Sequence, residues 1–144
     1  MVNRRAVPIL VLLIGCALFM SIPAHGENEA SLDTPEGTIS RYIEALRQGS
    51  LEGVKAVSQS PDDAFYLPRP VNILRYAIRG KKILRKGDLE GLDLRMQPRV
   101  GDVQLDVLQV REAEGQTTYH MFSYWMRPMD GEWKIYDRSV WGGP

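Results

Sequence analysis

The chain has few of the residues that metal and redox sites require. Its 144 residues include a single cysteine, Cys16, and two histidines, His25 and His120. One cysteine forms no disulfide within the chain, and so few imidazoles without clustered carboxylates do not provide the ligands of a zinc site. The sequence therefore predicts no metal, no cofactor and a domain that is stabilised by packing alone.

A surplus of charge of either sign is also missing. The 18 Lys and Arg residues balance the 18 Asp and Glu residues, so the formal net charge is +0. Domains that bind DNA or RNA usually carry a clear positive surplus, and we therefore expect no nucleic-acid partner. The length predicts one domain with its own core.

The start of the chain has the pattern of an export signal. Two arginines precede the apolar residues 6–22, and residues 23–26 (PAHG) include the small side chains that a signal peptidase recognises. This pattern predicts a secretory signal at residues 1–26, cleaved after Gly26, and hence a protein of the bacterial periplasm or cell envelope.

Two alternatives to cleavage after Gly26 stay open. Residues 13–16 (LIGC) resemble a lipoprotein signal, in which Cys16 would carry the lipid. The apolar residues 6–22 could instead remain as a single membrane anchor, although they are somewhat short for a span of about 20 residues.

After a short linker at residues 27–32, residues 33–141 are expected to form the single domain. Asp33 or Thr34 can cap a helix that begins at Pro35, has an apolar face and ends at Gly49. A second, short helix is expected from a cap at Ser50.

The rest of the chain predicts mainly strands. Residues 71–78 are expected to form a short third helix that ends before Gly80, and an apolar face that changes after Val107 predicts a β-bulge. Asp130 and Gly131 predict a tight hairpin turn. Strands are expected at residues 81–86, 92–97, 103–112, 116–127 and 132–140. This order predicts an α+β fold, with N-terminal helices on a strongly bent antiparallel sheet of four to five strands that forms a cone.

Short segments at both ends of this domain resemble the nuclear-transport-factor-2-like superfamily. Residues 34–37 (TPEG), 42–46 (YIEAL) and 49–53 (GSLEG) resemble its opening helices, and residues 130–135 (DGEWKI) resemble its last hairpin. The similarity is greatest to small exported bacterial members. It implies a cystatin-like α+β cone, but it implies no activity, because the superfamily includes enzymes and non-catalytic binding domains.

Enzymes of this superfamily usually hold an acid/base pair inside the cone, and two residues are weak catalytic candidates here. His120 lies among aromatic residues and has the right pKa range for a general base. Asp137 is expected on the strand face of Trp133 and Ile135, where pairing with an arginine is the expected fate of its carboxylate. Asp106 alternates with apolar residues and is expected to face solvent.

Two larger sets of residues are candidates for binding. Aromatic residues are candidates for an apolar ligand pocket: Tyr42, Tyr119, Phe122, Tyr124, Trp125 and Trp133. A basic run without an acid is the candidate surface for anionic lipid, glycan or an acidic partner: Arg75, Arg79, Lys81, Lys82, Arg85 and Lys86. A solvated strand edge guarded by lysines is the simpler interpretation of that run.

These features favour a non-catalytic envelope domain that binds a small apolar ligand or a protein partner in or beside a cone-shaped pocket. The first alternative is an isomerase, dehydratase or cyclase-like enzyme that uses His120 or Asp137 as acid/base. The second is an assembly subunit that forms a homodimer through its sheet. Membrane contact is expected only through the N-terminal segment or the basic run.

Overall fold

The structure is a computed structural model that describes residues 31–59 and 69–141. The predicted signal at residues 1–26, the lipid site at Cys16 and most of the linker lie outside the described residues. Within the described ranges, no helix combines the length and hydrophobicity that crossing a bilayer would need.

Two helices open the described chain where the sequence predicted them. Helix α1 spans Pro35–Gln48, and the hydroxyl of Thr34 caps it by accepting from the backbone N–H of Gly37. Gly49 ends the helix in the left-handed conformation, with φ 63°. Helix α2 spans Leu51–Val57, and Ser50 caps it in the same way through Gly53.

Four strands follow and form one antiparallel sheet in the order β1-β2-β3-β4. The strands are β1 (Ile73–Ile83), β2 (Val103–Ala113), β3 (Gln116–Met129) and β4 (Glu132–Trp141). Two-residue turns at Glu114-Gly115 and Asp130-Gly131 join the last three strands, and all four of these residues have positive φ. The α+β class is therefore confirmed, with two helices packed on a four-stranded sheet.

The sheet has two faces, which we call inner and outer. The inner face packs on the helices, so that Leu105, Val107 and Tyr124 share the main core with Ile39 and Tyr42 of α1. The outer face carries a smaller core of Leu84, Trp125 and Tyr136, against which apolar residues of the segment 84–101 pack. This segment covers the end of the outer face where β2 begins and β3 ends.

Two predicted elements are wrong. The third helix at residues 71–78 does not form, because these residues belong to strand β1. The strand at residues 92–97 does not form either. Its Leu92, Leu94 and Met96 lie in an irregular segment and pack on the smaller core.

The irregularities of the sheet lie in the edge strands and not at Val107. Val107 pairs with Phe122 in an unbroken β2–β3 register. Register shifts occur between Ile73 and Arg75 and between Ile78 and Gly80 of β1. In β4, Trp125 pairs with Asp137 while Met126 pairs with Ile135, which leaves Tyr136 as an extra residue.

The predicted position of Asp137 is wrong because of this extra residue in β4. Trp133 and Ile135 pack on the inner core, as expected, although Trp133 is only half-buried. After Tyr136 the alternation changes phase, so Asp137 lies on the outer face beside Trp125 and Arg138 lies on the inner face beside Tyr124. Asp137 therefore does not share a face with Trp133.

Candidate functional site

Polar residues continue the inner face beyond the apolar core, at the end of β2 and the start of β3. Gln109 pairs with His120, and Arg111 pairs with Thr118. Because alternate residues of a strand share a face, these side chains follow Val107 and Phe122 on the side of the helices. We call the set Gln109, Arg111, His120, Phe122 and Arg138 the inner-face cluster.

A buried amide fixes the position of one guanidinium group in this cluster. Gln109 is 0% exposed, and its Nε2 donates to the hydroxyl of Tyr124 at 2.9 Å. Its Oε1 accepts from Nε and Nη2 of Arg111, at 2.9 Å and 2.7 Å. A buried amide without partners would be costly, so these bonds both stabilise Gln109 and orient Arg111.

Two arginines lie over the same aromatic ring. The guanidinium carbons of Arg111 and Arg138 lie 4.9 Å and 5.6 Å from the centroid of Phe122, within the range of a cation–π interaction. Arg138 Nη1 also donates to the hydroxyl of Tyr42 at 3.0 Å. No carboxylate of the described residues forms an ion pair with Arg111. The cluster therefore concentrates positive charge beside an aromatic surface.

Burial is the main cause of the pKa shifts in the cluster, and the positive charge adds to its effect at Arg111 and His120. Burial lowers the pKa of Arg111, and the charge of Arg138 lowers it further. Burial and then the charge of Arg111 lower the pKa of His120 below its usual 6.5, which favours the neutral imidazole. Burial raises the pKa of Tyr42 and of Tyr124, so both hydroxyls stay protonated. An anion at this place would relieve the repulsion between the cations.

A surface groove of about 410 Å³ gives access to one side of the cluster. Arg111, Thr118 and His120 line it from the sheet, and Arg69 lines it from the segment before β1. The hydroxyl of Thr118 lies 2.9 Å from Nε2 of His120, and the imidazole stacks on Phe122 with ring centroids 6.1 Å apart. The groove thus presents two guanidinium groups, one imidazole and one hydroxyl, with the carboxylate of Glu112 also in its lining.

The predicted pocket residues do not all lie together. Tyr42, Phe122 and Tyr124 are buried in the main core, and Trp133 packs against its edge. Tyr119 is 59% exposed and Trp125 belongs to the smaller core, and both lie on the outer face. Only the first set can contribute to a site on the inner face.

The two catalytic candidates lie on opposite faces of the sheet. His120 belongs to the inner-face cluster. Asp137 accepts instead from the backbone N–H groups of Arg95 and Arg138, each at 2.6 Å. The side chain of Arg95 lies 4.0 Å from the carboxylate of Asp137, and this contact joins the segment 84–101 to β4. The two residues therefore cannot act as a pair in one cavity.

Asp106 lies on the outer face and is hydrogen-bonded. It accepts from the hydroxyl of Ser123 and from Nε2 of Gln104. Gly80 on the neighbouring strand leaves room for it, since a Cβ there would lie 2.9 Å from Oδ2 of Asp106. Across residues 31–59 and 69–141, no three side chains of His, Cys, Asp or Glu come together as metal ligands.

The basic run forms the edge strand β1 and the turn after it. Lys81 pairs with Glu36 at the start of α1, and Lys82 pairs with Asp88, both at 2.7 Å. Arg75, Arg79, Arg85 and Lys86 are exposed and form no ion pair with a described residue. With two of its six cations paired, the run still leaves a basic edge.

The sequence-based selection missed Gln109, Arg111 and Arg138. The signal for Gln109 and Arg111 was the loss of alternation in β2, where these polar residues continue a face that is otherwise apolar, and Arg138 lies in β4 after a bulge that the sequence of one strand does not locate. We compared the chain with family models, with curated proteins and with solved structures, and none of the three comparisons gave a match.

Proposed function

We propose that this chain is a non-catalytic binding domain of the cell envelope, and that its ligand is a small carboxylate with an apolar body. The observation that carries the proposal is the position of Arg111, which is oriented by buried Gln109, lies over Phe122 and has no ion-pair partner among the described residues. The sequence favoured an apolar ligand, and the charge of the cluster refines this to an anionic one.

The geometry of Arg111 supports recognition of a planar anion. A guanidinium group has five N–H donors in a flat fork that matches a carboxylate. In Arg111, Nε and Nη2 each donate one hydrogen bond to Oε1 of Gln109. The remaining donors, on the Nη1 side, are available to a ligand in the groove. Because His120 tends to be neutral, it can donate to an oxygen atom without adding charge.

The apolar body of the ligand would lie on the apolar lining of the groove, which Pro70, Val71 and Ala113 contribute. Phe122 is buried and does not line the groove, but it stacks on His120 and so supports the imidazole from the side of the core. Sites for small ligands commonly combine such an apolar wall with a few fixed polar groups. In a nuclear-transport-factor-2-like cone, which we propose as the overall shape, this cluster would occupy the open end.

An acid–base enzyme is the weaker proposal. The expected roles of His120 and Asp137 would require both in one cavity, and strand pairing puts them on opposite faces. Without Asp137, His120 has the hydroxyl of Thr118 as its partner. No carboxylate is among its described partners to orient the imidazole as a strong base.

The test compares benzoate with benzamide, which has the same ring but no charge. We expect benzoate to raise the melting temperature of the full chain in proportion to ln(1 + [L]/Kd), and benzamide to have no effect. Isothermal titration would give the dissociation constant. Arg111→Gln should abolish the benzoate effect.

Arg99→Gln is the matched control, because Arg99 is an exposed arginine outside the cluster. It should bind benzoate as the parent chain does. Equal effects of benzoate on the Arg111 and Arg99 variants would contradict the proposal, and so would equal effects of benzoate and benzamide. Circular dichroism of Arg111→Gln would show that lost binding does not reflect lost folding.

A further inference from the structure

Half of the outer face has no covering in the described chain. The segment 84–101 covers the end near Trp125 and Tyr136. The other end carries an apolar band across all four strands, in which Val110 is buried and the rest are partly or fully exposed: Ala77, Leu108, Val110, Tyr119, Met121 and Trp141. Of these, Tyr119 is 59% exposed and Trp141 is 58% exposed.

A basic rim borders this band at strand β1. Arg75 and Arg79 line a groove of about 270 Å³, together with Ala77, Leu108, Val110 and Tyr119. Neither arginine forms an ion pair with a described residue, whereas the neighbouring Lys81 and Lys82 do. The groove therefore combines two exposed guanidinium groups with an apolar floor.

The geometry points to docking of this outer face on a bilayer that contains anionic phospholipid. Arg75 and Arg79 would bind lipid phosphates, since arginine binds phosphate oxygens through its fork of donors. Tyr119 and Trp141 would enter the interface, where tyrosine and tryptophan are enriched. The indole N–H of Trp141 already donates to the hydroxyl of Ser123 at 2.6 Å, so the exposed part of this ring is apolar.

Charge decides between a bilayer and a second copy of the chain. On the outer face of the described strands, Asp106 and Asp137 are hydrogen-bonded within the chain, Glu132 pairs with Lys134, and Glu112 is exposed without an ion pair to a described residue. A second copy seated on the same face would therefore not neutralise both Arg75 and Arg79. An anionic bilayer would, and the inferred surface is independent of the inner-face cluster.

Access of Trp141 to acrylamide tests this inference in the full chain. The N-terminal apolar residues are expected to insert into any vesicle, so attachment alone does not discriminate. Trp141 quenching is therefore compared on phosphatidylcholine vesicles and on phosphatidylcholine–phosphatidylglycerol vesicles, with Trp141→Phe giving the background from the other tryptophans. We expect protection of Trp141 on the anionic vesicles only, and loss of that protection in 0.5 M salt, which shortens the Debye length to about 4 Å.

Charge variants complete the test. Arg75→Gln/Arg79→Gln should remove the protection, whereas Lys55→Gln/Arg99→Gln removes two exposed cations elsewhere and should keep it. Equal protection on both vesicle types, or protection that survives Arg75→Gln/Arg79→Gln, would overturn the inference. Protection that appears without vesicles and grows with protein concentration would overturn it in favour of a homodimer through the sheet.

Discussion

Arg127 donates to both carboxylate oxygens of Asp102, from Nε at 2.9 Å and from Nη2 at 2.7 Å. Both side chains are buried, with 8% and 3% of their surfaces exposed. The hydroxyl of Tyr136 donates to the same carboxylate at 2.9 Å, and Arg127 also donates to the carbonyl of Gln97. This buried pair therefore fastens the segment 84–101 to strands β3 and β4.

Removing one partner of this pair should strongly destabilise the fold. We expect Asp102→Ala to lower the free energy of unfolding by about 3–5 kcal/mol, because Arg127 would remain buried without its counterion. Urea denaturation would measure the change. Lys81→Gln breaks an exposed pair with Glu36, whose side chains are 44% and 40% exposed, and should cost less than about 1 kcal/mol. Similar losses for the two variants would contradict the structural role of Asp102.

The titration of His120 reports on the charge of the inner-face cluster. Burial and the charge of Arg111 lower its pKa, so the folded chain binds a proton at His120 less readily than the unfolded chain does. The folded state is thus penalised as pH falls below about 6.5, the usual value for histidine. Stability at pH 7.5 should not depend on this group, and stability at pH 5 should be reduced by it.

We expect the imidazole resonances of His120 in NMR spectra to titrate below pH 6.5. Arg111→Gln should move this midpoint upward, because it removes the nearby positive charge. Arg99→Gln should leave it unchanged. A midpoint that does not respond to Arg111→Gln would show that burial alone sets the pKa of His120.

Gly49 is needed for the connection between the helices. Its φ is 63°, and a Cβ there would lie 3.0 Å from Cδ of Pro70. Gly49→Ala should therefore cost about 1–2 kcal/mol through left-handed strain and the close contact. Gly87→Ala is the control, because no atom lies within 4 Å of its Cβ position, and its effect should stay within about 0.5 kcal/mol. Thermal or urea denaturation of both variants would decide; equal stability would contradict the strain at Gly49.

Both helices were predictable because their signals are local. Thr34, Pro35, Gly49 and Ser50 act within a few residues of their own position, through caps and backbone conformation that need no distant partner. The same holds for the turn at Asp130, where positive φ at two adjacent residues is a property of the dipeptide.

The sequence predicts a helix instead of the start of strand β1 because the bulges of this strand interrupt its two-residue alternation. Its inward-facing residues are Ile73, Tyr76 and Ile78. Because the register shift lies between Ile73 and Arg75, Ile73 and Tyr76 are three residues apart, which is a spacing typical of a helix. Only pairing with β2 shows that the chain is extended. A β-bulge is a property of two strands, so the sequence of one strand does not locate it.

The inner-face cluster was misread for a related reason. The sequence predicts a bulge near Val107 because Leu108 and Val110 are the next apolar residues, and an apolar face is expected to stay apolar. In the structure, Gln109 and Arg111 lie on the same face as Val107, and only the residue type changes from apolar to polar. Departures from pattern of this kind are expected at functional sites, where chemistry replaces packing.

The extra residue in β4 also decides which charge each side of the sheet receives. If β4 kept all its residues but had no bulge, strict alternation would put Asp137 on the inner face and Arg138 on the outer face. The bulge at Tyr136 therefore keeps a carboxylate out of the inner-face cluster, where the proposed ligand would bind, and puts a guanidinium group there instead. For this domain, ligand preference depends on the backbone path of a strand as much as on the identity of its residues.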